Sequence, residues 1–377
     1  MNELLHYFEN QQFIETMLPG DYQPQQLGAQ ILSISGADFN LETAEIVIVG
    51  CGEWRGSDAN ANYHQSADSV REELYKMYYW HPEIKIADIG NIMQGETVDD
   101  TRAALLTVLY ELHAAGKVVV LIGGSHDLTL QQYEVFKKAR VRAVGSVADM
   151  LIDLDESEAI TDRSFLMNML TETPNYIAHY NHMAFQTYYA HPKMLETLDK
   201  LRFDFYRLGA VREKIEEMEP VLRGSNFFSI DMNVMRHCNA PCIKNVSPNG
   251  LDGEEICQLT RFAGMSGKLS SLGIYSYDSR LDPERITARL LSQMIWYFID
   301  GYSVRKTEAE LSNTDEFITF HIPFTEYETV FMKSKRTNRW WMKLPNEVFI
   351  PCSYNDYELA SSDIMPERWL REQERLV

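Results

Sequence analysis

Three short stretches of this sequence carry side chains able to hold a divalent metal ion. His126 follows Gly123-Gly124-Ser125, Asp149 and Asp153 bracket Met150-Leu151-Ile152, and Asp231 stands in Ser229-Ile230-Asp231-Met232-Asn233. Imidazole nitrogen and carboxylate oxygen together suit divalent ions that activate water for hydrolysis. Singly, each stretch has an ordinary reading, since a His after paired glycines is often a loop residue and a strand-end Asp often caps a helix. Their order and placement make the combination informative.

The segments around them must position these groups. From Asp99 onward, Leu105, Val108, Leu109 and Leu112 fall on one helical face before Gly116 supplies a stop. Residues 118–122 are apolar on both faces, as a central strand covered by helices must be. A Gly-rich turn follows, then a second helical pattern in Leu130, Tyr133 and Phe136. The same alternation recurs with a strand at 45–49 and a helix at 69–79. Downstream, strands at 226–230 and 272–277 lead to a helix at 283–300, with Asp282 as its N-cap and Gly301 after its end. Alternating helices and strands predict a parallel sheet, whose functional groups lie just beyond the carboxyl ends of its strands. His126 and Asp231 both fall there.

In this order the three stretches resemble the ureohydrolase superfamily (arginase, agmatinase, formimidoylglutamase). Its motifs run Gly-Gly-(Asp/Gly)-His, Asp-Ala-His-x-Asp and Ser-x-Asp-x-Asp at successive strand ends. The likeness spans roughly residues 45 to 300 and includes Ala67-Asp68-Ser69-Val70-Arg71-Glu72-Glu73-Leu74-Tyr75 and Asp88-Ile89-Gly90-Asn91. It implies an α/β fold of three α/β/α layers around a mainly parallel, eight-stranded, arginase-like sheet. It also implies a two-metal site of two histidines and four aspartates, of which His126, Asp149, Asp153 and Asp231 are kept. In the family these four complete the shell of one metal, so the resemblance implies one divalent ion, manganese before others, or none.

Three departures bear on activity. Leu151 stands where the family has a second histidine, Asn233 where it has its last aspartate, and Ser276 where a strand-end Glu engages the substrate guanidinium. No histidine follows the second motif until His179, so the proton-shuttling His of the family is also missing. One divalent ion against three aspartates leaves the site near minus one, which lowers the pKa of bound water less than a balanced pair of ions does. The branch resembled most is formimidoylglutamase, which tolerates divergent Gly-Gly-x-His motifs and substrates other than guanidines. The implied function is therefore impaired or altered hydrolysis of a C–N bond in a linear amidine, with Asp153 and Asp231 nearest the activated water. Arginase or agmatinase activity is not expected. Two alternatives stand beside it: an active one-metal amidine hydrolase, and a non-catalytic descendant that binds a small molecule or a partner. A second register, with Asp153 and Asp155 on the second motif and Ser157 at its last ligand, stays open because residues 150–154 make a better strand than 144–148.

Bulk properties narrow the rest. Of 377 residues, 45% are hydrophobic and 24% charged, as in globular proteins, and the formal net charge is −20. That charge argues against nucleic-acid binding and against adhesion to anionic membranes. No signal-peptide order follows Met1 and no apolar run approaches the ~20 residues of a membrane span, so a cytoplasmic location is expected. Five cysteines, an odd number, suit free thiols, and His237, Cys238 and Cys242 lack a fourth zinc ligand at suitable spacing. After Gly301 the texture becomes strand-like, at 317–324 and 329–344 with a turn at Thr337-Asn338. The expected organisation is an N-terminal helical addition (1–42), an arginase-like domain (43–301) and a β-rich extension (302–377). In the extension Lys333, Lys335, Arg336, Arg339 and Lys343 with Trp340 and Trp341 read as a solvated hairpin packed by its tryptophans, or as a patch for an acidic partner. Homo-oligomerisation is implied by the resemblance alone.

Overall fold

The alternating pattern folds into a sheet of strands β1 (Leu32–Ser33), β2 (Ile46–Cys51), β3 (Ile86–Asn91), β4 (Val118–Gly123), β5 (Ala143–Ala148), β6 (Ile177–Phe185), β7 (Asp204–Arg207), β8 (Phe227–Asp231) and β9 (Ser271–Tyr275). Its spatial order is β1-β3-β2-β4-β9-β8-β5-β6-β7, and every pairing is parallel. Eight strands have four or more residues, and β1 adds a two-residue edge for which residues 1–42 gave no signal. This computed structural model describes residues 2–9, 22–33, 40–57, 64–241, 247–324 and 328–375. Cys242 and much of the expected N-terminal addition lie outside the described residues. Among those described, no helix is long and apolar enough to cross a membrane.

Strand β4 shows how sequence makes the layers. Val118, Val120 and Ile122 point into one core with Leu272, Ile274 and the helices Gly253–Gly264 and Ile286–Thr307. Val119 and Leu121 point into the other with Leu105, Val108, Leu109 and Leu112 of the helix Val98–Ala114 and Tyr133 and Phe136 of the helix Thr129–Ala139. Each such side chain contributes roughly 1.5–3 kcal/mol when fully buried, so an all-apolar strand is stable only between two helical layers. Thr97 and Asp100 cap the helix Val98–Ala114 reciprocally, and Gly116 turns the chain at φ +71°.

Several expectations need correction. The last long helix runs Ile286–Thr307 and passes through Gly301 instead of stopping there. The glycine serves helix packing: a Cβ at Gly301 would lie 2.1 Å from the Arg261 carbonyl, and one at Gly264 2.1 Å from that of Phe298. Arg285, not Asp282, is the N-cap residue, but the Asp282 carboxylate still accepts from the first-turn N–H of Ala288 at 2.8 Å, and from the Tyr277 hydroxyl at 3.1 Å. The strand of the second motif is β5, which ends at Ala148, while residues 150–154 are irregular. The register on Asp149 and Asp153 therefore sits at a strand end, and Asp155 is a partly exposed partner of Arg163 at 3.4 Å.

Beyond the parallel sheet, β10 (Phe317–Pro323), β11 (Glu328–Ser334), β12 (Trp340–Lys343) and β13 (Phe349–Cys352) form a separate antiparallel sheet in that order, followed by helices Tyr354–Ser361 and Glu367–Glu374. The expected arms at 329–344 are β11 and β12, joined at the expected turn, where Asn338 takes φ +61°. Trp340 and Trp341 are buried in separate clusters on opposite faces. Arg339 is buried against Glu308 at 2.9 Å and Lys343 pairs with Glu347, so much of the basic patch is internally paired.

Candidate metal centre

The turn after β4 can be tight only because it is made of glycines. A Cβ at Gly124 would stand 1.9 Å from the Glu53 carbonyl oxygen, and one at Gly123 2.3 Å from the Tyr275 ring. The chain then enters a single turn, His126–Leu128, that buries the imidazole completely. His126 Nε2 lies 3.0 Å from Ser229 Oγ, which is 2.6 Å from Thr129 Oγ1. With Nε2–H donating to Ser229, Nδ1 keeps its lone pair, and Phe165 and Tyr275 fix the ring plane at centroid distances of 4.8 and 5.6 Å.

Nδ1 faces three carboxylates. It lies 3.0 Å from Asp149 Oδ2, 3.2 Å from Asp153 Oδ2 and 3.5 Å from Asp231 Oδ2. Two of the three are aimed by their own backbone. Asp149 Oδ1 accepts from the Leu151 N–H at 2.7 Å and Asp231 Oδ1 from the Asn233 N–H at 2.8 Å, which turns each Oδ2 inward. Asp231 Oδ2 also accepts from the Ser276 hydroxyl at 2.9 Å. Strand ends β4, β5, β8 and β9 thus bring all four expected ligand residues and Ser276 to one point at the carboxyl edge of the sheet.

Short distances here do not mean satisfied atoms. His126 Nδ1, Asp149 Oδ2 and Asp153 Oδ2 are buried and accept or donate no hydrogen bond, although these ligand atoms lie within 4.8 Å of one another. Burial pulls the His126 imidazole down, but the carboxylates of Asp149, Asp153 and Asp231 override it and hold it well above its ordinary range. Burial, then repulsion from Asp149, pushes Asp153 well up and Asp231 up to about 7, whereas His126 holds Asp149 low against its own burial. A divalent cation offsets both burial and mutual repulsion, so one nitrogen and two oxygens that converge without hydrogen bonds, with Asp231 Oδ2 beside them accepting from Ser276, fit one ion.

Leu151, Asn233 and Ser276 stand beside this cluster, each hydrogen-bonded to one of its aspartates. Leu151 is buried and offers no ligand atom. Asn233 spends its carbonyl oxygen on the Met150 N–H at 3.1 Å. Ser276, held at φ +67°, is neutral and already bonded to Asp231.

With this geometry in place, comparison with known proteins decides the ancestry. The sequence pattern of the arginase family matches residues 44–300, more than half of the chain. The chain belongs to the arginase family. Formimidoylglutamase of Legionella pneumophila (strain Lens) is 21% identical over 246 residues, covering 62% of this chain and 77% of that one. Trypanosoma cruzi formiminoglutamase, solved with Mn²⁺, superposes with a TM-score of 0.66 at 17% identity over 71% of this chain and 97% of that one. Bacillus subtilis formimidoylglutamase gives 0.65 at 15% identity over 79% and 94%. At such identities the solved structures show the arginase-like fold alone. The early stretches that resemble the family meet as well: buried Arg71 bonds Asp88 at 2.8 Å and Asp68 at 2.9 Å, tying the helix Ser66–Leu74 to β3.

Some residues that shape the site were not singled out from sequence. Ser229 and Thr129 set the imidazole; Ser229 opens the third stretch without revealing its partner, and Thr129 belongs to no pattern. His182, buried on β6, places Nε2 3.3 Å from the Asp149 carbonyl and accepts or shares a hydrogen at Nδ1 with Tyr180. His179 lies on the same strand, 3.1 Å from Asp204, where it belongs to an ion-pair cluster with Arg371 and Arg375.

Proposed function

We propose that this arginase-family chain holds one divalent ion, manganese, through His126, Asp149, Asp153 and Asp231, and that ordinary two-metal ureohydrolysis is lost. The observation that carries this reading is the trio of buried, unpartnered atoms beside Leu151, which has no ligand atom, and Asn233, whose amide oxygen accepts from the Met150 N–H. When bound, the ion supplies Lewis acidity toward water and ligand. The chain's own residues do the rest of the work. Ser229 holds the imidazole so that Nδ1 faces inward, the Leu151 and Asn233 N–H groups aim Asp149 and Asp231, and Asp153 and Asp231 stand nearest any water to be activated. Ser276 gives an arginine or agmatine guanidinium no anionic anchor and directs its one hydrogen to Asp231. A small, linear amidine-like molecule is the ligand class that the family likeness favours.

The retained one-metal shell favours a second reading, an active hydrolase that breaks the C–N bond of a linear amidine such as a formimidoyl group. The net charge of −20 and the family membership support a cytoplasmic homo-oligomer that binds neither nucleic acid nor membrane. Elemental analysis of protein purified without chelator should give one ion per chain, and two at neutral pH would overturn the proposal. With manganese saturating, turnover of a formimidoyl amino acid in the ordinary range of about 1 to 1000 per second would select the second reading.

A further inference from the structure

Sheet edges expose unpaired N–H and C=O groups, and proteins ordinarily blunt them with charge, proline, shortness or cover. Among the described residues the two sheets have four edges, and three of them are blunted. β1 has only two residues. β7 begins at Asp204, which Arg371 and Arg375 from the C-terminal helix clasp at 2.8 and 2.7 Å. β13 contains Pro351, and Arg223 donates to the Cys352 carbonyl at 3.0 Å.

The fourth edge, β10, is seven residues long with the sequence Phe-Ile-Thr-Phe-His-Ile-Pro. It contains no Asp, Glu, Lys or Arg, and its proline comes only at the last position. It is the terminal strand of its sheet, and among the described residues no other strand pairs with its outer side. Ile318 is 44% exposed, and Thr319, His321 and Pro323 are exposed too. Phe320 and Ile322, on the face of Ile318, are half-buried against the cluster of Phe331, Trp340 and Met342.

We infer that β10 is a docking edge for β10 of a second copy of this chain, paired antiparallel about a two-fold axis at Phe320. The strand is self-complementary in that register: Ile318 faces Ile322, Thr319 faces His321, and Phe320 faces itself. Ile318, 44% exposed within one chain, thereby gains an apolar neighbour, and the ladder continues across two sheets. Charge suits a meeting of two copies at this strand. Two copies that each carry −20 repel one another, and β10 is a stretch where backbone groups can meet without bringing like charges together. The inference is independent of the metal reading.

The register supplies its own test. Thr319→Lys with His321→Lys sets two pairs of like charges directly opposite across the axis, whereas Thr319→Lys with His321→Glu sets two opposite pairs. Light scattering on the full-length protein during size exclusion reads the mass. The wild type should contain an even number of chains, the Lys/Lys variant should fall to half that mass, and the Lys/Glu variant should return to the wild-type value. Far-ultraviolet circular dichroism verifies that both variants fold, and the Lys/Glu variant separates lost pairing from lost folding. A wild-type monomer at high concentration, a mass that Lys/Lys leaves unchanged, or failure of a folded Lys/Glu variant to restore it overturns the proposal.

Discussion

Asn233 Oδ1 lies 3.1 Å from the backbone nitrogen of Met150 and accepts its hydrogen. Because a backbone N–H can only donate, this contact fixes which end of the amide faces which way. The oxygen is committed to the second motif, and the NH₂ end has no lone pair to offer a cation. Where the family resemblance implies a carboxylate ligand, the amide therefore makes a tie between the ends of β8 and β5.

That tie should be measurable. Asn233→Ala leaves the buried Met150 N–H without its acceptor, which should cost about 1–3 kcal/mol. Asn233→Asp keeps an acceptor in place and should cost less. Urea denaturation of the two variants beside wild type checks the order, and equal stabilities for Ala and wild type would show that the bond contributes nothing.

Support for the imidazole should govern affinity without changing stoichiometry. Ser229→Ala removes the partner of His126 Nε2 and frees the ring to rotate or change tautomer. Loss of such an outer partner typically weakens metal binding 10–100-fold, about that much being expected here. His126→Ala should abolish tight binding altogether. Calorimetric titration with Mn²⁺ distinguishes the two, and an unchanged Kd in Ser229→Ala would remove Ser229 from the account.

The degree to which this was legible in sequence follows from how local each signal is. β4 and its flanking helices could be read because apolar periodicity is a property of neighbouring residues, and His126, Asp149, Asp153 and Asp231 because their motifs sit at strand ends. Gly301 reads locally as a helix stop, because nothing local separates a terminating glycine from one that lets the helix Gly253–Gly264 approach closely. The role of Ser229 depends on strand order, which places β8 two positions from β4, with β9 between them. The Asn233 contact needed coordinates as well, since sequence reports the lost carboxylate and not what its amide now holds.

Restoring two-metal chemistry should need three changes together. Leu151→His supplies a nitrogen ligand, Asn233→Asp a carboxylate, and Ser276→Glu an anionic partner for a guanidinium. Each single variant should still bind one ion and release no urea, because members of a catalytic unit act together and not additively. The triple variant should bind two ions and release urea from arginine or agmatine above the wild-type background. Two ions bound by Leu151→His alone would show that Asn233 does not close the second position.

Acid sensitivity gives a test away from the metal. His64 stacks on Trp54 with ring centroids 4.9 Å apart, receives the Ser66 hydroxyl at Nδ1 (2.7 Å), and leaves Nε2 buried and unbonded, 3.8 Å from Asp278. Burial lowers its pKa to about 4, outweighing the upward pull of Asp278. An unfolded chain would protonate the same ring near 6.5. Between about pH 6.5 and 4 the unfolded state therefore binds more protons than the folded one, so stability rises with pH and is lost as pH falls through that window. His64→Gln removes this term. It should cost stability near pH 7.5, where stacking and the Ser66 bond are lost, but the deficit should shrink by about 1–2 kcal/mol on going to pH 4, the full shift being discounted for partial exposure. Denaturant midpoints of both proteins from pH 4 to 8 give the difference directly. A deficit that stays constant across the window would show that His64 is not held neutral by burial.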